Sequence, residues 1–195
     1  MDLFPNVFQS LRKFVPSILN DCPSFHYANF NYDNLFAEFP ADDNATASDG
    51  QWVAKWLFTL HPNNVPKVFP YWLEMDAGLF ASKLEAFKMA FANASSPANF
   101  IVIIWILPSF ADSVVPFNRT NELTREQLAL KIIDHYSNRF LLIRCPIARD
   151  ESKWTKWEKE AIGFRMDDQW NLIEIQKDNN DIGDERAPRR NSWPM

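Results

Sequence analysis

Glycine is scarce here, with four residues in 195, and that scarcity excludes several architectures at once. Phosphate-binding loops and dinucleotide fingerprints need glycines at fixed spacing, and none of the four is so placed. No GxSxG elbow is present to hold a serine nucleophile. Cysteine is scarcer still: Cys22 and Cys145 stand far apart, whereas a secreted disulfide scaffold uses more. Both are read as small apolar residues in a reducing compartment, the alternative being a single long-range disulfide. Positive charge is in deficit too, with a formal net charge of −5 and a sequence pI near 5.2. Lys and Arg are interleaved with Asp and Glu, as in 153–160, so no basic face for nucleic acid is expected. The longest apolar run, Phe100–Leu107, is far short of the roughly 20 residues of a membrane helix. Met1–Val15 lacks the basic start, apolar stretch and small-residue cleavage site of a secretory leader. The expectation is a protein of the cytoplasm or nucleus that binds neither nucleic acid nor membrane. The sequons at Asn44, Asn93 and Asn118 are then without consequence.

What the chain has is aromatic mass: seventeen Phe and eight Trp. Each buried aromatic removes on the order of 150–250 Å² from water, so a substantial core is within reach. Thirteen Pro cut the chain into short elements.

Three helix–strand units open the pattern. Val7–Leu19 has helical spacing with a break or kink at Pro16, and Ser24–Phe30 follows as a strand. Ser48 and Gln51 form a capping box, Trp52, Val53, Trp56, Leu57 and Leu60 share one face, Pro62 stops the helix, and Lys67–Met75 is a strand. Phe80, Leu84, Phe87 and Phe91 share another helix face, and Asn99–Leu107 follows as a strand whose continuous apolarity means burial on both faces. The second half differs. Val114–Phe117 is a short edge strand, because Pro116 cannot donate to a ladder. Gln127–Ile133 and Arg139–Cys145 form a hairpin around His135–Asn138. Asp150 caps a helix over Glu151–Ile162, Gly163 ends it in a left-handed conformation, and Gln169–Gln176 is the last strand. The fold class expected is α/β: irregular, leucine-rich-repeat-like helix–strand units, then a β-hairpin, a helix and a final strand. It forms a single interaction domain over 1–176, with a disordered tail over 177–195.

A reactive constellation is not found. Cys145 and His135 would sit at opposite ends of the hairpin, about 20 Å apart at roughly 3.3 Å per residue, too far for a nucleophile–base pair. His26, His61 and His135 are isolated, and no HxxxH, CxxC or EF-hand spacing occurs, so neither a metal nor a cofactor is expected. Asp42–Asp43 and the acidic run over 178–184 are solvated loop charge.

Tryptophan is the remaining signal. Trp154, Trp157 and Trp170 pin the last helix to the sheet as core, the alternative being an aromatic interaction patch. Trp72 and Trp105 share the parity of Glu74 and Asn99 and point to the sheet face away from the helices. With His26 they are the candidate protein-binding surface if that face is open. If the C-terminal hairpin covers it, they are core.

Several long segments carry a family likeness. They are AEFPADDNATASDGQWVAKWLF (within Phe36–Leu60), FANASSPANFIVIIW (Phe91–Trp105), SFADSVVPFNRTNELTREQLALK (Ser109–Lys131), RFLLIRCPIARDESKWTKWEKEAI (Arg139–Ile162), DQWNLIEI (Asp168–Ile175) and DIGD (Asp181–Asp184). Together they resemble the C-terminal, post-F-box region of the F-box domain-containing protein family expanded in plant-parasitic cyst nematodes. The resemblance runs from about Leu11 to Asp184. It implies a domain that recruits a protein target for ubiquitination, with a Skp-type adaptor as partner only where an F-box lies upstream. Only about ten residues precede the match, fewer than an F-box needs, so the chain is expected to be a truncated paralogue, a fragment or the product of an incomplete gene model. The resemblance supplies no catalytic residues. Two other functions stay open: a small enzyme whose site is assembled from scattered residues, and a standalone interaction protein that competes with full-length relatives.

Overall fold

The structure, a computed structural model, describes residues 27–30, 36–44, 46–73, 77–111, 114–134, 138–163 and 173–175. Five strands make the main sheet, in the order β2-β3-β6-β5-β4: β2 (Lys67–Leu73), β3 (Phe100–Ile106), β4 (Phe117–Asn121), β5 (Glu126–Asp134) and β6 (Arg139–Pro146). Helix α1 (Asp49–Leu57) precedes β2, and α2 (Ala77–Ala92) crosses from β2 to β3. The single turn α3 (Pro108–Ala111) follows β3, and α4 (Glu151–Ile162) follows β6. β2 and β3 run parallel, while β3, β6, β5 and β4 pair antiparallel. A two-stranded parallel pair, β1 (Ala28–Phe30) with β7 (Ile173–Ile175), meets the main sheet through the parallel bridge Tyr27–Val68.

Alternation along the strands explains the layers. Phe69, Tyr71 and Leu73 of β2, with Phe100, Val102 and Ile104 of β3, face α1 and α2. Val68, Ile101 and Ile103 point the other way, where Leu141, Ile143, Cys145, Trp154 and Ala161 complete a second core under α4. Strand β3 is therefore buried on both sides, as its unbroken apolar run predicts.

Capping fixes the helices where the sequence places them. The Ser48 hydroxyl accepts from Gln51 N (3.1 Å), and the Gln51 side chain accepts from Ser48 N (2.9 Å). At α4, Asp150 accepts from the backbone N–H groups of Ser152 (3.1 Å) and Lys153 (3.2 Å). Asn121 on β4 serves the opposite end of α2, its Nδ2 donating to Phe91 O (2.7 Å) and Ala94 O (2.8 Å). Lys67, buried at the start of β2, donates from Nζ to Trp56 O in the last turn of α1 and to Thr59 O just past its end.

Three expectations need correction. Helix α1 ends at Leu57, so Leu60 leaves the helical face and is 37% exposed. Gly163 closes α4 at φ −81°, a right-handed conformation, with its N–H bonded to Lys159 O at 2.9 Å. The edge strand begins at Phe117 rather than ending there, because Val114–Pro116 approach it through a proline that has no ladder donor. The helix over Val7–Leu19, residues 24–26 of the first strand, Cys22, His135, Trp170, the acidic run 178–184 and the tail 177–195 lie outside the described residues.

Candidate functional site

Parallel register brings two predicted site residues together. Trp72 of β2 pairs directly with Trp105 of β3, and their rings stack with centroids 4.4 Å apart and planes 5° from parallel. Such close, near-parallel rings bury much of one face of each ring against the other. Both side chains leave the sheet on the side opposite α1 and α2, as parity predicts. That side is not free of helices, because α4 packs on it. The hairpin β5–β6 extends the sheet edgewise instead of lying over this face. Trp105 is half-buried at the margin of the α4 core, and Trp72 stays 41% exposed. His26, the third predicted residue, lies outside the described residues.

At the other end of the same strands is a cavity of about 330 Å³ that sequence reasoning did not anticipate. Leu60 and Asn64 reach it from the loop between α1 and β2, and Pro97 and Asn99 from the loop before β3. The wall opposite is the start of α4 with its preceding loop, including Arg149, Trp154 and Trp157. Trp154 is 4% exposed among the strand residues Ile101, Ile103, Leu141 and Ile143, and Trp157, which meets it edge-to-face at 5.4 Å, packs partly buried against the same cluster, so the two hold α4 to the sheet. The tryptophan pattern signalled the α4 wall. The loops that complete the cavity carry no local motif.

Charges around the cavity are matched. The Arg149 guanidinium meets both Glu151 oxygens (2.9 and 3.0 Å) and Glu158 (3.0 Å), and its carbon lies 5.2 Å from the centre of the Trp154 ring. The Glu151 hydrogen bonds raise the Arg149 pKa, and reciprocally the Glu151 carboxyl is held below its usual range. Cys145 is a buried thiol that accepts from Gln127 Nε2 and Arg149 Nη1, both at 3.3 Å. Burial pushes its pKa up, and those two contacts offset only part of the effect. Such a thiol is neutral at physiological pH and a poor nucleophile.

Two further buried cations hold the frame. Arg144 and Glu126 are 0% and 1% exposed, and the guanidinium meets one carboxylate oxygen at 2.6 and 3.1 Å. Phe58 and Phe91 lie against the same guanidinium, at 4.8 and 5.3 Å. Burial pushes the Lys67 ammonium down to about 7. Among the described residues no group of three His, Cys, Asp or Glu is placed to hold a metal ion, and no helix is long and apolar enough to cross a membrane.

No protein-family model, curated protein or solved structure matches this chain.

Proposed function

We propose that this protein is an interaction domain that presents the Trp72–Trp105 stack to a protein partner. One observation carries the proposal: two tryptophans stack at 4.4 Å on a sheet face, and one of them keeps 41% of its surface open to solvent. Tryptophan is enriched at the residues that dominate binding energy, because it offers a large rigid surface at small entropic cost. Fixing the ring pair on adjacent strands pre-orders the surface before any partner arrives.

Within this proposal the domain is the target-recognition part of an F-box-type ubiquitin ligase subunit, working in the cytoplasm or nucleus. The long segments that resemble the post-F-box region support it, and a Skp-type adaptor joins only if an F-box stands upstream. The leucine-rich-repeat-like description of the first half is supported by the parallel β2–α2–β3 unit and by the parallel bridge from Tyr27 to Val68.

The test is affinity enrichment from nematode tissue with the wild-type chain, a charge-matched control protein and the variant W72S/W105S. A partner recovered by the wild type and lost with the variant supports the proposal. Equal recovery on all three refutes it.

A further inference from the structure

We infer that the cavity between the start of α4 and the loops preceding β2 and β3 is a second binding site, for an apolar side chain flanked by an amide N–H. Its size, about 330 Å³, lies at the lower end of the range for ligand pockets. Three features specify the occupant.

The first is apolarity. Leu60, Pro97, Pro146, Ala148, Trp154 and Trp157 supply most of the wall, and Leu60 stands 37% exposed with its side chain at the cavity. An aliphatic or aromatic group seated there removes that surface from water.

The second is an unanswered acceptor. Asn99 lines the cavity, is 6% exposed, and its Oδ1 has no hydrogen-bond partner. Its Nδ2 reaches Asn64 O at 3.2 Å, a long bond. Oδ1 is itself sealed from solvent, so a ligand reaches it only when the carboxamide turns toward the cavity and exchanges that long bond for one to the ligand. Buried polar groups are satisfied in nearly every folded protein, so the missing partner is a donor. An amide N–H is the donor that accompanies an apolar side chain in any polypeptide.

The third is charge. Arg149 is already matched by Glu151 and Glu158, and Lys153 Nζ lies 3.9 Å from Asp150 Oδ2. The Asp150 carboxylate also occupies the first N–H groups of α4. Among the described residues each charged group lining the cavity has an opposite charge within 4 Å, which favours a neutral occupant over an ion.

A free amidated amino acid and a segment of a protein chain both carry this chemistry. The site is independent of the tryptophan stack, which lies at the far ends of β2 and β3, so failure of one leaves the other standing.

The experiment titrates N-acetyl-leucinamide into the full-length ¹⁵N-labelled protein and follows the Asn99 carboxamide with the Trp154 and Trp157 indole N–H signals. Saturable shifts in these signals are expected, with a Kd of about 1–10 mM for so small a ligand. The Asn99→Leu variant keeps the volume and removes the acceptor, and should weaken binding about tenfold. Should that variant fail to fold, Leu60→Ser removes an exposed wall residue and should weaken binding comparably. A capped alanine hexapeptide with one central leucine separates the two sources. Binding about tenfold tighter than the single residue identifies a protein segment, and equal binding identifies a free small molecule. Shifts spread over the whole spectrum, no shifts at all, or unchanged affinity in the folded variants would overturn the inference.

Discussion

Arg144 and Glu126 form an ion pair sealed from solvent, between strands β6 and β5 and under the ends of α1 and α2. The pair is tied into the chain on both sides. Arg144 Nη2 donates to Ser96 O at 2.8 Å, and Glu126 Oε1 accepts from Ala98 N at 2.9 Å. One buried pair therefore holds the loop that leads into β3. Removing one partner strands the other charge where water cannot reach it. Glu126→Ala is expected to cost about 3–5 kcal/mol, measured by urea unfolding. A loss below about 1 kcal/mol would mean that the pair is not the anchor described.

Gly50 sits where α1 begins, against the segment that carries Phe36 and Glu38. A Cβ at this position would lie 2.5 Å from Glu38 Cγ and 2.7 Å from the Phe36 carbonyl oxygen. The carboxylate cannot simply swing away, because it bonds the Ser48 hydroxyl (2.7 Å) and Lys83 Nζ (2.8 Å). Although burial alone would raise the Glu38 pKa, these contacts hold it below the ordinary range. Gly50→Ala should therefore destabilise by about 1–3 kcal/mol, against the usual gain from alanine in a helix. Thermal unfolding checks the sign.

The two tryptophan pairs should differ in how much stability their loss costs. Trp154 is 4% exposed in the α4 core, so Trp154→Ala should cost about 3–5 kcal/mol. Trp72 is 41% exposed, and Trp72→Ala should cost only about 1 kcal/mol, chiefly the lost stacking. Equilibrium unfolding of both variants tests whether the Trp72–Trp105 pair is surface rather than core.

Lys67 makes stability depend on pH. Its folded pKa is pushed down to about 7 from an ordinary 10.5. Between these values the unfolded chain binds a proton that the folded chain releases, so stability rises with pH across that window and is lower by the full amount below pH 7. The slope is at most about 1.4 kcal/mol per pH unit. Tyr27 and Cys145, whose pKa values burial raises, act in the opposite sense at higher pH. Unfolding measured between pH 7 and 8.5 should therefore show the rise, and Lys67→Met should flatten it whatever its absolute stability.

Local chemistry made much of this fold legible. The capping box at Ser48 and the cap at Asp150 located the starts of α1 and α4, since each cap is written in a few adjacent residues. The apolar runs located β3 and the β5–β6 hairpin. Side-chain parity placed Trp72 and Trp105 on one face. Their contact with each other depends on the parallel register of β2 and β3, which no local pattern contains. The Arg144–Glu126 pair was hidden for the same reason: a charged residue in a strand reads as solvent-facing until its cross-strand partner is known. The cavity was hidden because three separate loops supply it. Gly163 misled because a helix-ending glycine permits a left-handed turn without requiring one.

The most direct test of the central claim is the affinity of a purified partner for wild-type protein and for W72A/W105A, measured by calorimetry on samples with matching circular dichroism. If the stacked pair is the binding surface, the double variant should bind at least about 30-fold more weakly, as loss of a hot spot does. Equal affinity for the two proteins would contradict it.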